Sequence, residues 1–179
     1  MAVPPTITLR PITDDDLEFL CLLYASTRAE ELAVTGWDAA LLENFLQMQF
    51  NLQHTQYQHN YPDASFDLVC IDAVPAGRLY VQRSNGEMRL IDIALLPAYR
   101  GKGLGGRLLA DLIREADENG MMMSLHVEVN NPVLALYMRL GFKEKELRGI
   151  YRYMERPHLD NAAAHIAAME GGCLAVVVA

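Results

Sequence analysis

Leu95-Leu96-Pro97-Ala98-Tyr99-Arg100-Gly101-Lys102-Gly103-Leu104-Gly105-Gly106-Arg107 is the stretch on which the reading of this chain turns. An apolar, β-rich run ends at Leu95, and beyond the glycines Leu104, Leu108, Leu109, Leu112, Ile113 and Ala116 recur at helical spacing. A glycine turn between a strand and an amphipathic helix aims backbone amides at one point, at the positive end of the helix dipole. Arg100, Lys102 and Arg107 add three positive charges, and no acid occurs between Asp92 and Asp111. Four glycines in the six residues 101–106 cost backbone entropy on folding. A site at which the backbone closely approaches an anion accounts for them better than a solvated turn does.

Before this turn the chain reads as a β-meander. Phe66–Ile71 and Arg78–Gln82 are short β-rich segments separated by Val74-Pro75-Ala76-Gly77. Asn85-Gly86, two residues that tolerate the positive φ of a type I′ turn, then predicts a hairpin into Met88–Leu95. Nearer the N-terminus, Ile7–Arg10 alternates and ends at Pro11, as a first strand does. Thr13 followed by Asp14, Asp15 and Asp16 predicts a helix start, with Leu17, Leu20, Cys21 and Tyr24 on its buried face. A second helix begins at Asp38, carries Leu41, Leu42, Phe45, Leu46, Gln49 and Leu52, and gives way to a loop in the polar run His54–Asp63. After the turn, the helix ends at Asn119-Gly120, Ser124–Val129 alternates as a strand, Pro132 starts a helix that Gly141 closes, and Ile150–Met154 is a last strand. Met121-Met122-Met123 reads as adaptable core or strand entry. This order predicts a single mixed α/β (α+β) domain over residues 1–157, its helices packed on a mainly antiparallel sheet, followed by an alanine-rich tail over 158–179.

Composition narrows the function. The 179 residues hold 15 Lys and Arg against 23 Asp and Glu, a net charge of −8, and 51% are apolar. Such a length suits one domain. The longest unbroken apolar stretch, Cys173–Ala179, falls well short of the roughly 20 residues that cross a bilayer. The start, MAVPPTITLR, lacks a basic region followed by an apolar core. Neither a membrane nor a secretory route is expected, and a cytoplasmic setting is the default. Cys21, Cys70 and Cys173 form an odd set without a CxxC pair, so neither a disulfide framework nor a metal site is indicated. An acidic chain is repelled by polyphosphate, which argues against nucleic acid as a partner, though not against a small anion held by a local basic patch.

Gly101, Gly103 and Gly106 satisfy GxGxxG, and Glu128 lies some way downstream, as in dinucleotide sites. In that fingerprint, however, the first glycine follows its strand at once, whereas Pro97-Ala98-Tyr99-Arg100 intervenes here. The turn also lies behind an antiparallel meander, with too little chain after it for a doubly wound sheet. No GxxxxGK[ST] is present. Instead the sequence resembles the GNAT N-acetyltransferase superfamily. Its acyl-CoA signature Q/R-x-x-G-x-G/A is met by Arg100, Gly103 and Gly105, preceded by IDIALLPAY, which looks like the family's splayed central strand. NNPVLALYMRLGF looks like its second signature, an Asn seven residues before a Tyr on a helix that ends in LGF. The resemblance is strong over residues 66–156, plausible over 6–65 and absent in the tail.

The resemblance implies a mixed sheet with a splayed central strand pair and helices on both faces, and acetyl-CoA as co-substrate. It implies that the backbone of Ile93, Ala94 and Leu95 pairs with the pantetheine arm, one amide facing the thioester oxygen. The amides of Gly101, Lys102, Gly103, Leu104, Gly105 and Gly106, with Arg100 beside them, would hold the pyrophosphate. Asn130 matches the family's Asn, although Asn131 can take that contact or cap the helix. Tyr137 matches the family's general acid, and a phenol is protonated at neutral pH. The general base stays open between Glu87, early on the strand as in glutamate-using members, Asp92, a carboxylate within an apolar strand, and a water chain. Without a bulge Glu87 and Asp92 face opposite sides of that strand. The alternative role of Asp92 is as buried partner of an arginine such as Arg28. His126 and Glu128 read as residues of a polar sheet face without catalytic assignment.

The acceptor is expected against residues 26–61, where Arg28, Glu30, Glu31, Trp37, His54, Tyr57, His59 and Tyr61 offer charged and aromatic contacts. It is a small-molecule or peptide amine whose identity the sequence leaves open. The expected activity is N-acetyl transfer by direct attack in a ternary complex. The alternative is an acyl-CoA-binding sensor without chemistry. The apolar end after Gly171-Gly172 is expected to be covered by the chain's own sheet or by the second subunit of a homodimer, the other outcome being a disordered end.

Overall fold

A computed structural model describes residues 5–159, so the readings of the apolar tail and of the homodimer it would serve lie outside the described residues. Seven strands form one sheet in the order β1-β2-β3-β4-β5-β7-β6. These are β1 Ile7–Pro11, β2 Ser65–Ile71, β3 Val74–Ser84, β4 Glu87–Leu95, β5 Met122–Glu128, β6 Lys143–Arg148 and β7 Tyr151–Arg156. Every neighbouring pair is antiparallel except β4 and β5. The helices are α1 Leu17–Ala33, α2 Ala39–Asn60, α3 Leu104–Glu118 and α4 Leu134–Arg139. This is the α/β architecture expected from the sequence. No described helix is long and apolar enough to cross a membrane.

Alternation along the strands makes two cores, one on each face of the sheet. On β2, Val69 and Ile71 join Leu79, Leu90, Ile93, Leu125, Val127 and the apolar faces of α3 and α4. Leu68 and Cys70 point the other way, onto Leu20, Tyr24 and Phe50 of α1 and α2. The buried face of α1 is Leu20, Leu23 and Tyr24, while Leu17 is exposed. Cys21 is half-buried because it faces α2, where its Sγ meets Gln47 Oε1 at 3.3 Å.

Several local readings change. First, α2 runs through His54 to Asn60, where a loop was expected. Side-chain pairs one turn apart, Gln47 with Asn51 and Gln58 with His54, each at 3.1 Å, serve its polar stretch. Second, the β2–β3 reversal lies at Asp72-Ala73, both with positive φ, so Val74–Gly77 belongs to β3 rather than to a turn. At the next hairpin only Gly86 has positive φ, so Asn85-Gly86 closes the hairpin without the expected type I′ geometry.

Third, β4 carries a bulge. Tyr80 lies opposite Asp92 and Val81 opposite Leu90, which leaves Ile91 as an extra residue. The alternation therefore slips, and Glu87, Arg89 and Asp92 share the α2-side face while Met88, Leu90, Ile93 and Leu95 pack on α3. The bulge also marks a fork. β4 pairs with β5 only over Glu87–Leu90, opposite Met122–Leu125. Beyond it β5 continues beside β7 to Glu128, and residues 91–95 of β4 have no β5 partner.

Candidate active site

The glycine turn sits at the open end of the fork. Pro97–Tyr99 form one 3₁₀ turn, after which Gly101 and Gly103 adopt φ of +71° and +75°. Left-handed backbone of this kind favours glycine. Gly103 is the N-cap of α3, and a Cβ built there or at Gly106 would meet no atom within 4 Å, so the space before these amides is open. Arg100 is placed differently from the expectation that it stands beside a pyrophosphate. Its Nε donates to the Leu95 carbonyl at 2.7 Å and its Nη2 to Ser26 Oγ at 3.0 Å. The guanidinium thus ties the end of β4, at the Leu95 carbonyl, to α1. Lys102 remains on the turn, its Nζ 6.0 Å from the centre of the Tyr99 ring.

Tyr137 projects from α4 into the core that α3 and α4 share with the sheet. Its ring meets Phe142 edge-on, with centroids 5.7 Å apart, and the side chain is fully buried. Its hydroxyl has no hydrogen-bond partner among the described residues. Burial, and then the nearby Asp92 charge, push its pKa well above that of an ordinary phenol. An unpaired buried hydroxyl costs about 1–3 kcal/mol. Retaining one where phenylalanine would fit points to a use for it. The two asparagines divide their work: Asn131 Oδ1 accepts from the Val133 amide at 2.9 Å, starting the α4 turn. Asn130 borders a cavity of about 490 Å³ together with Ser26, Arg28, Arg100 and Pro132.

The two candidate bases are both engaged. Asp92 is wholly buried, and its Oδ2 takes 2.7 Å from Arg78 Nη2 and 3.2 Å from the Tyr57 hydroxyl. Burial pushes its carboxyl upward, against the pull of the Arg78 guanidinium. Its arginine is Arg78, not Arg28; Arg28 instead pairs with Glu31 at 3.2 Å and Glu128 at 3.7 Å. Glu87 is hydrogen-bonded by Ser124 and lies 3.1 Å from Arg89. Burial raises its pKa, but the bonds from Ser124 and Arg89 outweigh that and hold it below the usual range.

A second cavity, of about 290 Å³, lies between α2 and the forked strands and contains His126, which the sequence reading left without a role. His126 follows Leu125, the last β5 residue paired to β4, so it stands at the fork facing α2. Burial, then the positive charges of Arg89 and Arg148, lower its pKa, with Glu146 pulling the other way. Its Nε2 is 3.4 Å from Arg148 Nη1, and a guanidinium can only donate, so Nε2 is the unprotonated nitrogen. In sequence His126 is one polar residue in an alternating strand. Its proximity to Ile91 depends on the bulge, and no local signal marks it. Arg28 borders both cavities. No group of three or more His, Cys, Asp or Glu side chains able to hold a metal occurs among the described residues.

Comparison with known proteins agrees with this architecture. The chain is 39% identical over 66 residues to the ribosomal protein bS18-alanine N-acetyltransferase of Haemophilus influenzae, which is 36% of this chain and 45% of that enzyme. The Escherichia coli K12 enzyme of the same name is 41% identical over 68 residues, again 36% and 45% of the two chains. The chain thus spans about half the length of the curated N-acetyltransferases it matches. In fold it is similar to the PaiA N-acetyltransferase of Thermoplasma acidophilum in complex with coenzyme A. The TM-score is 0.63 at 21% identity, covering 86% of this chain and 99% of that one. The ribosomal-protein-S18-alanine N-acetyltransferase structure from Escherichia coli gives a TM-score of 0.56 at 20% identity, covering 87% and 97%. The sequence profile of the acetyltransferase (GNAT) family matches residues 33–142, more than half of the chain. With the forked β4–β5 pair and the glycine turn before α3, that match establishes that the chain belongs to the acetyltransferase (GNAT) family.

Proposed function

We propose that the chain is an acetyl-CoA-dependent N-acetyltransferase that moves the acetyl group to a primary amine by direct attack within a ternary complex. The observation that carries this reading is the unpaired hydroxyl of Tyr137, fully buried and within electrostatic reach of Asp92, which lies on the stretch of β4 that lacks a β5 partner. The residues present fit the co-substrate. The amides of the Gly101–Gly106 turn and Lys102 would hold its pyrophosphate, the 91–95 edge its pantetheine arm, and the cavity beside Asn130 its thioester end. When bound, acetyl-CoA supplies an activated acetyl thioester with a thiolate leaving group.

The rest is the work of this chain's side chains. A backbone amide of the Ile93–Leu95 edge stabilises charge on the attacked carbonyl oxygen, an effect worth a few kcal/mol when the donor is fixed in advance. Tyr137, its pKa raised by burial and then by Asp92, keeps its proton at neutral pH, and its Oη is the donor for the departing sulfur. His126, whose pKa is lowered by burial and by Arg89 and Arg148, is the base, its Nε2 taking the amine proton in exchange for the 3.4 Å bond from Arg148. Glu87 and Asp92 orient Arg89 and Arg78. Their engagement is what favours the second reading, an acyl-CoA sensor that binds without turnover.

Calorimetric titration with acetyl-CoA, followed by assay of thiol release across an amine panel, tests both readings. The transferase reading expects saturable binding and amine-dependent release. Absence of binding up to millimolar ligand sinks both, and tight binding with release never above the enzyme-free rate leaves only the sensor.

A further inference from the structure

The 290 Å³ cavity under α2 has an electrostatic character that restricts what enters it. Its charged or readily protonated lining groups are Arg28, Arg89 and His126, and no Asp or Glu contributes to the wall. The remaining polar lining consists of Gln53, Gln56 and tyrosines. Asp92 lies behind Tyr57, fully buried and paired to Arg78 at 2.7 Å, so it offers the cavity little net negative field. The carboxylates that do touch the two arginines are not part of the wall. Glu31 and Glu128 anchor Arg28, and Glu87 anchors Arg89. A guanidinium has five N–H donors and one carboxylate takes at most two, so each anchored arginine retains donors for a ligand.

Resting on the transferase reading, we propose that the acceptor is a small amine bearing a carboxylate, as in an amino acid, with the carboxylate held by Arg28 and Arg89 at the cavity wall. With no acidic residue in its wall, the cavity offers a polyamine or a polycationic amino sugar no counter-charge. A carboxylate on the acceptor takes the remaining donors of the two arginines and fixes the amine's position beneath the fork. The volume is at the lower end for small-molecule sites, which suits a single amino acid better than a folded protein segment. Tyr57, Tyr61 and Tyr151 provide flat apolar surface for its side chain.

Matched acceptor pairs test this: the standard amino acids, their amides, the corresponding decarboxylated amines, β-alanine and 4-aminobutyrate, a short peptide with a free N-terminus, and spermidine. The carboxylated member of a pair is expected to have a kcat/KM at least about tenfold above its amide or decarboxylated partner. A preference for the longer amino acids would place the carboxylate farther from the amine. Arg89→Gln is expected to raise the acceptor KM at least about tenfold and abolish the preference, Arg89→Lys to restore part of it, and neither to change acetyl-CoA affinity by calorimetry, which also reports that each variant is folded. Equal turnover of the decarboxylated partners, a better rate with spermidine or the peptide, or an unchanged acceptor KM in Arg89→Gln overturns the proposal. So does acetyl-CoA binding without turnover of any carboxylated amine, a result that leaves cofactor recognition intact. Absence of acetyl-CoA binding removes the transferase reading itself.

Discussion

Tyr137 carries a buried hydroxyl that no described residue satisfies, and this makes its chemical and structural roles separable. Tyr137→Phe should lower kcat by about tenfold to a thousandfold with little change in acetyl-CoA affinity. Removing an unpaired buried hydroxyl should leave the melting temperature unchanged or raised, whereas a hydroxyl that served packing would show the reverse, an unaltered rate and a lower melting temperature. His126 gives a pH signature. A base must be unprotonated, so kcat/KM should rise with pH through a midpoint below that of an ordinary histidine, the direction set by burial, Arg89 and Arg148. His126→Gln should flatten that limb of the profile, and a limb that survives in the variant would assign it elsewhere. Asp92 calls for a different expectation. Asp92→Asn leaves Arg78 buried without its counter-charge and should lower stability by about 3–5 kcal/mol in urea unfolding. A small stability loss with a large loss of kcat would instead make Asp92 the base.

Among the elements, β3 and β4 carry the geometry of the site, and Gly77 controls how closely they approach. A Cβ there would lie 2.2 Å from the Ala94 carbonyl oxygen and 2.6 Å from Leu95 Cδ2. Gly77→Ala should therefore destabilise the protein by about 1–3 kcal/mol and weaken acetyl-CoA binding, because the displaced strand is the one that offers the fork edge. At the start of α1, Asp16 accepts from Arg10 at 2.6 and 2.7 Å and from the Thr13 amide at 2.8 Å. Those bonds, that of Arg10 first, lower its pKa from 3.8 to about 2. A carboxyl whose pKa is depressed on folding stabilises the fold above the unfolded value and loses that contribution as pH falls through the folded one. Asp16→Asn should thus be less stable than the parent by about 1–2 kcal/mol at pH 7, the half-exposed Arg10 keeping the figure modest, and the difference should vanish as pH drops from about 4 to below 2. A gap that persists at pH 2 would mean that shape, not charge, is what Asp16 supplies.

At the scale of the molecule, what could be read from the chain was whatever depends on neighbours in sequence. The Gly101–Gly106 turn, the Asn85-Gly86 reversal and the helical spacing of Leu104–Ala116 are local, and the fold order follows from them. What could not be read depends on pairing across the sheet. The bulge at Ile91 exists only in register with Tyr80 and Val81, and it decides that Glu87, Arg89 and Asp92 share a face. The choice of Arg78 over Arg28 as partner of Asp92 comes from the same register, which sets Arg78 opposite Ala94, two residues along that face. The position of His126 at the cavity follows from where β4 and β5 part. The net charge of −8 surrounds a basic turn and an arginine-lined cavity, so both are local exceptions to the overall field. Initial-velocity kinetics with acetyl-CoA and an amine acceptor, combined with the intact mass of the protein after turnover, test direct transfer within one ternary complex. The account predicts intersecting reciprocal plots, an acetylated amine and a protein of unchanged mass; parallel plots with an acetyl group left on the protein would contradict it.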